Sequence, residues 1–301
     1  MGSHDWSRWA LGATAVLLIA GCTAAEEAEV ADIVPEDIAE AGTLRVATDP
    51  TFPPAQFELP PEFQGVEREP ITGFEVDLVL AVAEELGLDV EWLEVPFGEV
   101  LELVDSGKAD VGSSSITVTQ ERAQERLFVT FFTSATQWAA RVPNATGVGP
   151  NNACGARVAV QADTVFVEDL LARSAACQEA GDDPIDILTF EEQGDVVQAV
   201  LNGRANAFLS DSIAVQWAIR QASGGATSGG AIRPGSLIRV GEAYDEAPFG
   251  WAVPGDDEQL AKALQEALRA VIDSGDYDEI LDARGVGAGA ITAQEVEIVG
   301  G

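Results

Sequence analysis

Apolar positions recur with two different periods along this chain. Phe74, Leu78, Val82 and Leu86 repeat every four residues and stop at Gly87, which predicts a helix buried along one face and closed by a glycine. Leu260, Leu264, Leu268 and Ile272 predict a second, long helix of the same kind. Shorter helices are expected over Val100 to Val104, ended by Gly107, and over Val196 to Leu201, ended by Gly203. Between them lie compact β-rich runs: Leu44 to Ala47, Asp110 to Ser115, Arg157 to Gln161 and Ala205 to Ser210. Strands alternating with helices predict an α/β sheet with helices packed on it. Pro143 to Cys154 and Ser223 to Gly230, rich in Gly, Pro, Asn or Ser, read as surface loops.

One short pattern occurs twice. Ser106-Gly107-Lys108-Ala109-Asp110-Val111 ends one helix and opens a strand, and Asn202-Gly203-Arg204-Ala205-Asn206-Ala207 does the same 96 residues later. Two helix-to-strand turns can look alike by chance. The alternative is a body of two similar α/β lobes, each bringing strand ends to a shared cleft.

The amino-terminal pattern differs. Trp9 to Gly21 is an uncharged apolar run of 13 residues, too short for a hydrocarbon core of about 30 Å, and it follows Arg8 as the apolar part of a secretory signal does. The expectation is a signal peptide over 1–21. Leu18-Ile19-Ala20-Gly21-Cys22 resembles the lipobox of bacterial lipoproteins, which makes Cys22 a lipidation site; the other reading is an ordinary signal with a chance cysteine. Residues 22–42, rich in Ala, Glu and Asp, read as an extended acidic tether.

Charge narrows the function. The 301 residues carry 51 acidic against 16 basic side chains, a net charge of −35. Such a surface repels phosphate backbones and anionic headgroups, so nucleic acid is not an expected partner and the membrane is reached only through the lipid anchor. The one histidine, His4, lies in the segment expected to be removed, which leaves no imidazole for triad or histidine-zinc chemistry; no metal or cofactor is expected. Cys154 and Cys177 remain as a pair to be bridged after export, closing a loop of about 24 residues.

Taken in order, six motifs resemble the polar-amino-acid solute-binding family of bacterial ABC importers: Leu44-Arg45-Val46-Ala47-Thr48-Asp49 with Thr51-Phe52-Pro53-Pro54; Gly73-Phe74-Glu75-Val76-Asp77-Leu78; Gly107-Lys108-Ala109-Asp110; Ile116-Thr117-Val118-Thr119-Gln120-Glu121-Arg122; Ser210-Asp211-Ser212; and Gly275-Asp276-Tyr277-Asp278. The resemblance covers about Gly42 to Ile291 and extends to actinobacterial members in the cysteine placement and the closing Gly285 to Ile291 segment. It implies a two-lobed periplasmic-binding-protein-like fold (type II), each lobe a mixed sheet flanked by helices, with lobe 1 over 43–138 and 249–301 and lobe 2 over 139–248. Crossing segments are expected near Ala135 to Arg141 and Ala247 to Val253.

A zwitterionic ligand needs a cation for its carboxylate, an anion and neutral acceptors for its ammonium, and apolar walls. The resemblance makes Arg122 the carboxylate clamp and leaves Arg126 on the surface. It gives the ammonium to Thr117, the Ser115 carbonyl and Asp211, the walls to Phe52 and Phe97, and the side-chain end of the pocket to Asp49. For Thr117 and Asp211 a simple helix-capping role is the competing reading, and for the phenylalanines a core role.

The chain departs from the family at the anion-binding helix start of lobe 2, where Asp163 precedes Thr164 and Val165 in place of glycine. Aspartate tolerates left-handed backbone, yet its charge would repel a carboxylate there. With Asp49, Asp163 and Glu246 all expected at the cleft, a polar or cationic amino acid is favoured over an acidic one. The implied partners are an amino-acid ligand and the importer's permease subunits, with the chain itself a monomer and not an enzyme. An exported dehydratase or lytic transglycosylase on the same fold, or a sensor that docks on a receptor, are the alternatives.

Overall fold

The computed structural model describes residues 33–58, 71–144, 146–223 and 235–301. The signal peptide, the Cys22 site and the Ser223 to Gly230 loop beyond Ser223 therefore lie outside the described residues, as does most of the tether.

In chain order the elements are α1 (Glu36–Ala41), β1 (Thr43–Thr48), β2 (Thr51–Phe52), β3 (Gln56–Glu58), β4 (Ile71–Thr72), α2 (Phe74–Leu86), β5 (Asp89–Glu94), α3 (Phe97–Asp105), β6 (Val111–Gly112) and β7 (Arg126–Arg141). There follow β8 (Arg157–Gln161), α4 (Val165–Ala180), β9 (Asp186–Phe190), α5 (Gln193–Leu201), β10 (Ala207–Asp211), α6 (Ser212–Ala222), β11 (Leu237–Pro254), α7 (Glu258–Ser274), α8 (Asp276–Arg284) and β12 (Ile298–Gly300). One mixed sheet runs β5-β1-β6-β11-β7-β10-β8-β9, with β12 also on β7, and a small antiparallel sheet is formed by β2, β3 and β4.

The strands alternate inside a two-faced core. Leu44 and Val46 of β1 pack with α2 and α7, while Ala47 joins Val100 and Val104 of α3. On β8, Val158 and Val160 pack with Phe166 and Leu170 of α4, while Ala159 joins Val196 and Val200 of α5. Successive side chains of a strand point to opposite faces, so a sheet covered on both sides needs apolar residues at consecutive positions. That is why these strands read as runs rather than alternations.

The long strands β7 and β11 pair antiparallel from Leu237 opposite Arg141 to Pro254 opposite Arg126, with register shifts between Val240 and Tyr244, Tyr244 and Ala247, and Phe249 and Gly250. The core changes over the same stretch. Residues 127–132 and 249–253 pack with the amino-terminal and carboxy-terminal helices, whereas Trp138, Ala139, Ala140, Leu237 and Val240 pack with α4, α5 and α6.

The repeated motif is repeated in three dimensions. Gly107 and Gly203 both take left-handed backbone, φ 68° and 73°, at the ends of α3 and α5. An arginine near the start of the first strand of each half donates to the matching glycine carbonyl, Arg45 to Gly107 at 3.1 Å and Arg157 to Gly203 at 3.3 Å. Each arginine's backbone N–H then donates to the residue three beyond that glycine, Asp110 at 2.8 Å and Asn206 at 2.9 Å. One device thus fixes the helix-to-strand turn in both halves.

Two elements differ from the sequence expectation. Over residues 22–42 an acidic tether is expected, but Glu36–Ala41 form a helix ending at left-handed Gly42, with Val34 and Ile38 buried in the core. The strand expected over Asp110 to Ser115 keeps β pairing only at Val111–Gly112, because the next three residues turn over a buried carboxylate, Glu75, and Ser115 adopts φ 49°. The Cys154–Cys177 disulfide is present, tying the segment before β8 to α4, with the Cα atoms 5.6 Å apart.

Candidate functional site

Strand ends and helix starts converge on one cavity, lined by Asp49, Phe52, Phe97, Ser114, Ser115, Thr117, Arg122, Gln161, Thr164, Val165, Phe166 and Asp211. The positions come from both ends of the long sheet. Asp49 follows β1, Ser114 and Ser115 follow β6, Gln161 ends β8 and Asp211 ends β10. Such placement puts polar groups at the carboxyl ends of parallel strands, where open α/β sheets bind ligands.

The floor is built from Glu75 upward. This buried carboxylate opens α2 and accepts from the Ser113 hydroxyl, the Ser115 backbone N–H and the Ser115 hydroxyl, each at 2.8 Å. Burial pushes its pKa up to about 7 against the pull of those donors. Ser114 in turn accepts from the Asp49 backbone N–H at 3.1 Å and the Gln56 amide at 3.2 Å.

Asp49 is 2% exposed and receives the Thr51 backbone N–H at 3.1 Å and the Gln161 side-chain amide at 2.8 Å. Burial raises its pKa, and among the described residues it has no ion-pair partner. Asp211 stands at the N-cap position of α6 but makes no side-chain capping bond; it faces the cavity instead. Burial pushes its pKa up to about 7, while the nearby Ser134 hydroxyl and the charge of Arg122 pull the other way.

Arg122 is held rather than mobile. Its backbone N–H donates to the Thr119 hydroxyl at 3.1 Å, and its Nη1 donates to the Thr117 carbonyl at 2.9 Å. Its guanidinium carbon lies 5.7 Å from the centre of the Phe97 ring, a cation–π geometry. Burial lowers its pKa from the usual arginine value, and a guanidinium stays charged under such a shift. Arg126, by contrast, forks onto Asp105 at 2.6 and 2.5 Å, away from the cavity.

A profile of the bacterial extracellular solute-binding proteins, family 3, matches residues 44–283. The chain belongs to this family. The arginine-binding protein ArgT of Corynebacterium glutamicum is 35% identical over 264 residues, 87% of this chain and 81% of that protein. The L-cystine-binding protein TcyJ of Escherichia coli K12 is 26% identical over 86% of this chain and 87% of its own length. Among solved structures, an ancestral arginine-binding protein bound to arginine superposes with a TM-score of 0.68 at 25% identity, covering 81% of this chain and 98% of that one. The two-lobed α/β architecture of the family is thereby this chain's own.

Of the residues expected at the site of this family-3 protein, Asp49, Phe52, Phe97, Ser115, Thr117, Arg122, Thr164, Val165 and Asp211 meet around the cavity. Two expectations differ. Asp163 does not line the cavity: it takes φ 59°, turns its carbonyl to Arg122 Nη2 at 3.4 Å and lays its carboxylate over Gly98 in the first turn of α3. The N-cap of α4 is Thr164, whose hydroxyl donates to the Gln161 carbonyl at 2.8 Å. Glu246 is exposed and also outside the lining. Sequence reasoning did not single out Ser114, Gln161 or Phe166. Gln161 carried the one usable signal, as the last residue of a strand predicted to end at the cleft.

Proposed function

We propose that this protein captures a cationic amino acid, arginine foremost, and presents it to the permease subunits of an ABC importer. The observation that carries the reading is the make-up of the cavity lining: two buried carboxylates, Asp49 and Asp211, share it with one guanidinium, Arg122. A neutral zwitterion leaves one of those carboxylates unpaired in a poorly solvated space, and an acidic ligand adds a further like charge. A ligand with one carboxylate, one ammonium and one cationic side chain matches all three.

In this reading Arg122 takes the ligand carboxylate through two parallel hydrogen bonds, helped by the free N–H groups at the Thr164–Val165 helix start. Asp211, the Ser115 carbonyl and the Thr117 hydroxyl take the ammonium, Asp49 takes the side-chain cation, and Phe52 and Phe97 wall the aliphatic part. No bond is broken. The relative that binds arginine supports the choice within the cationic class.

The lobes are assigned as 43–138 with 249–301, and 139–248, hinged where the β7–β11 register shifts. Cys22 is read as the lipidated anchor that holds a monomeric body outside the cell membrane. No helix of the described residues is long and apolar enough to cross a membrane.

A thermal-shift screen of the purified protein against the twenty amino acids and small amines tests the assignment. Arginine is expected to give the largest rise in melting temperature, lysine or histidine smaller rises, and aspartate and glutamate none. A rise with the acidic amino acids alone would contradict it.

A further inference from the structure

Gly98, in the first turn of α3, lies directly beneath the turn that enters α4. A Cβ at Gly98 would stand 2.5 Å from Asp163 Oδ2, 3.0 Å from its Cγ and 3.4 Å from its Cβ. The contact joins parts of the molecule with separate cores, since Phe97 and Val100 pack with β1 and β6 while Val165 and Phe166 pack with β8.

Three features of Asp163 converge on this contact. Its left-handed backbone, φ 59°, is one that aspartate and asparagine accept more readily than other side-chain-bearing residues. That backbone directs its carbonyl to Arg122 Nη2 and its carboxylate onto the first turn of α3. The carboxylate thus lies against the amino-terminal end of a nine-residue helix, which carries partial positive charge. Beside it, Gln161 of β8 donates to Asp49 across the same gap at 2.8 Å.

From this juxtaposition we infer that Asp163 and Gly98 form a clasp that positions the two walls of the cavity around the ligand. The inference rests on the ligand-binding reading above. Arg122 links the two, because the guanidinium assigned to the ligand carboxylate also holds the Asp163 turn. A ligand leaves only when the α3 wall and the α4 wall separate, so each contact between those walls adds to the stability of the closed form and slows release. Glycine at position 98 serves the approach rather than the helix, since alanine is the better helix former.

The test is calorimetric titration with arginine of the unaltered protein, Gly98→Ala, Asp163→Gly and the double variant, with ligand-free melting as a control. Gly98→Ala is expected to bind about three- to tenfold more weakly, while its ligand-free melting temperature holds or rises. Asp163→Gly is expected to lose about two- to threefold, and the double variant to bind no worse than Asp163→Gly alone, because the added methyl then meets no carboxylate. Unchanged affinity in Gly98→Ala, or losses that multiply in the double variant, would overturn the clasp while leaving the binding reading intact. An unaltered protein that takes up no amino acid would remove that reading and the clasp with it.

Discussion

At the scale of single residues the cavity is a set of charges held in place before any ligand arrives. Arg122 is fixed by Thr117 and Thr119, so in the proposed reading truncating it removes a preorganised bidentate contact and leaves a ligand carboxylate unpaired. Arg122→Ala should therefore weaken arginine binding by at least about tenfold, and Arg126→Ala, whose partner is Asp105, should change it by less than about twofold. Equal losses from the two substitutions, measured by titration, would refute the assignment. The buried acids add a dependence on pH with two opposite signs. Asp211 and Glu75 have pKa values raised to about 7, above the ordinary carboxylate range that they regain on unfolding. Their contribution to ligand-free stability is therefore fully present below the ordinary carboxylate range and is lost as pH rises through 7. In the proposed reading the ligand ammonium pairs with the ionised form of Asp211, so affinity should rise over the same interval, by at most about tenfold per pH unit. Melting curves from pH 5.5 to 8.5, with and without arginine, should show the ligand-free temperature falling while the ligand-induced increment grows. An increment that shrinks toward pH 8.5 would contradict Asp211 as the ammonium partner.

At the scale of elements the disulfide and the amphipathic helices are what the chain writes most clearly. Bridging Cys154 to Cys177 closes a loop between residues 23 apart, which by chain entropy stabilises by about 3 kcal/mol. A Cys154→Ser/Cys177→Ser variant should melt several degrees lower yet bind arginine with unchanged affinity, since neither cysteine lines the cavity. The Phe74 to Leu86 and Leu260 to Ile272 helices were legible because a four-residue apolar repeat and a terminal glycine coincide in them. The helix Glu36–Ala41 was not, because two buried side chains, Val34 and Ile38, make too short a pattern to stand out from acidic surroundings. The strand after Asp110 was read too long for a different reason. What bends it is Glu75, some 40 residues earlier in sequence, and no local pattern records a hydrogen bond at that separation. At the site, Arg122, Asp211 and Asp49 were readable through motifs, whereas the placement of the Asp163 carboxylate over α3 depends on its backbone angle and on the absence of a side chain at Gly98.

At the scale of the whole molecule, a single sheet carries two cores, and the cavity lies where its strand ends from both halves meet. The matching arginine-glycine devices at the ends of α3 and α5 place equivalent strand ends, those of β6 and β10, at that cavity. The acidic surface, net −35 over the chain, favours the approach of a cation from solution, though at physiological salt this acts only over about 8 Å. Specificity then falls to the buried carboxylates. Calorimetric titration of arginine, glutamine and glutamate into the protein and its Asp49→Asn variant tests whether Asp49 and Asp211 together select a cationic amino acid. One arginine is expected to bind per chain, glutamine more weakly and glutamate not at all, with Asp49→Asn losing arginine affinity by at least about tenfold while glutamine is little affected. Tight glutamate binding, or arginine binding that survives Asp49→Asn unchanged, would contradict that selection.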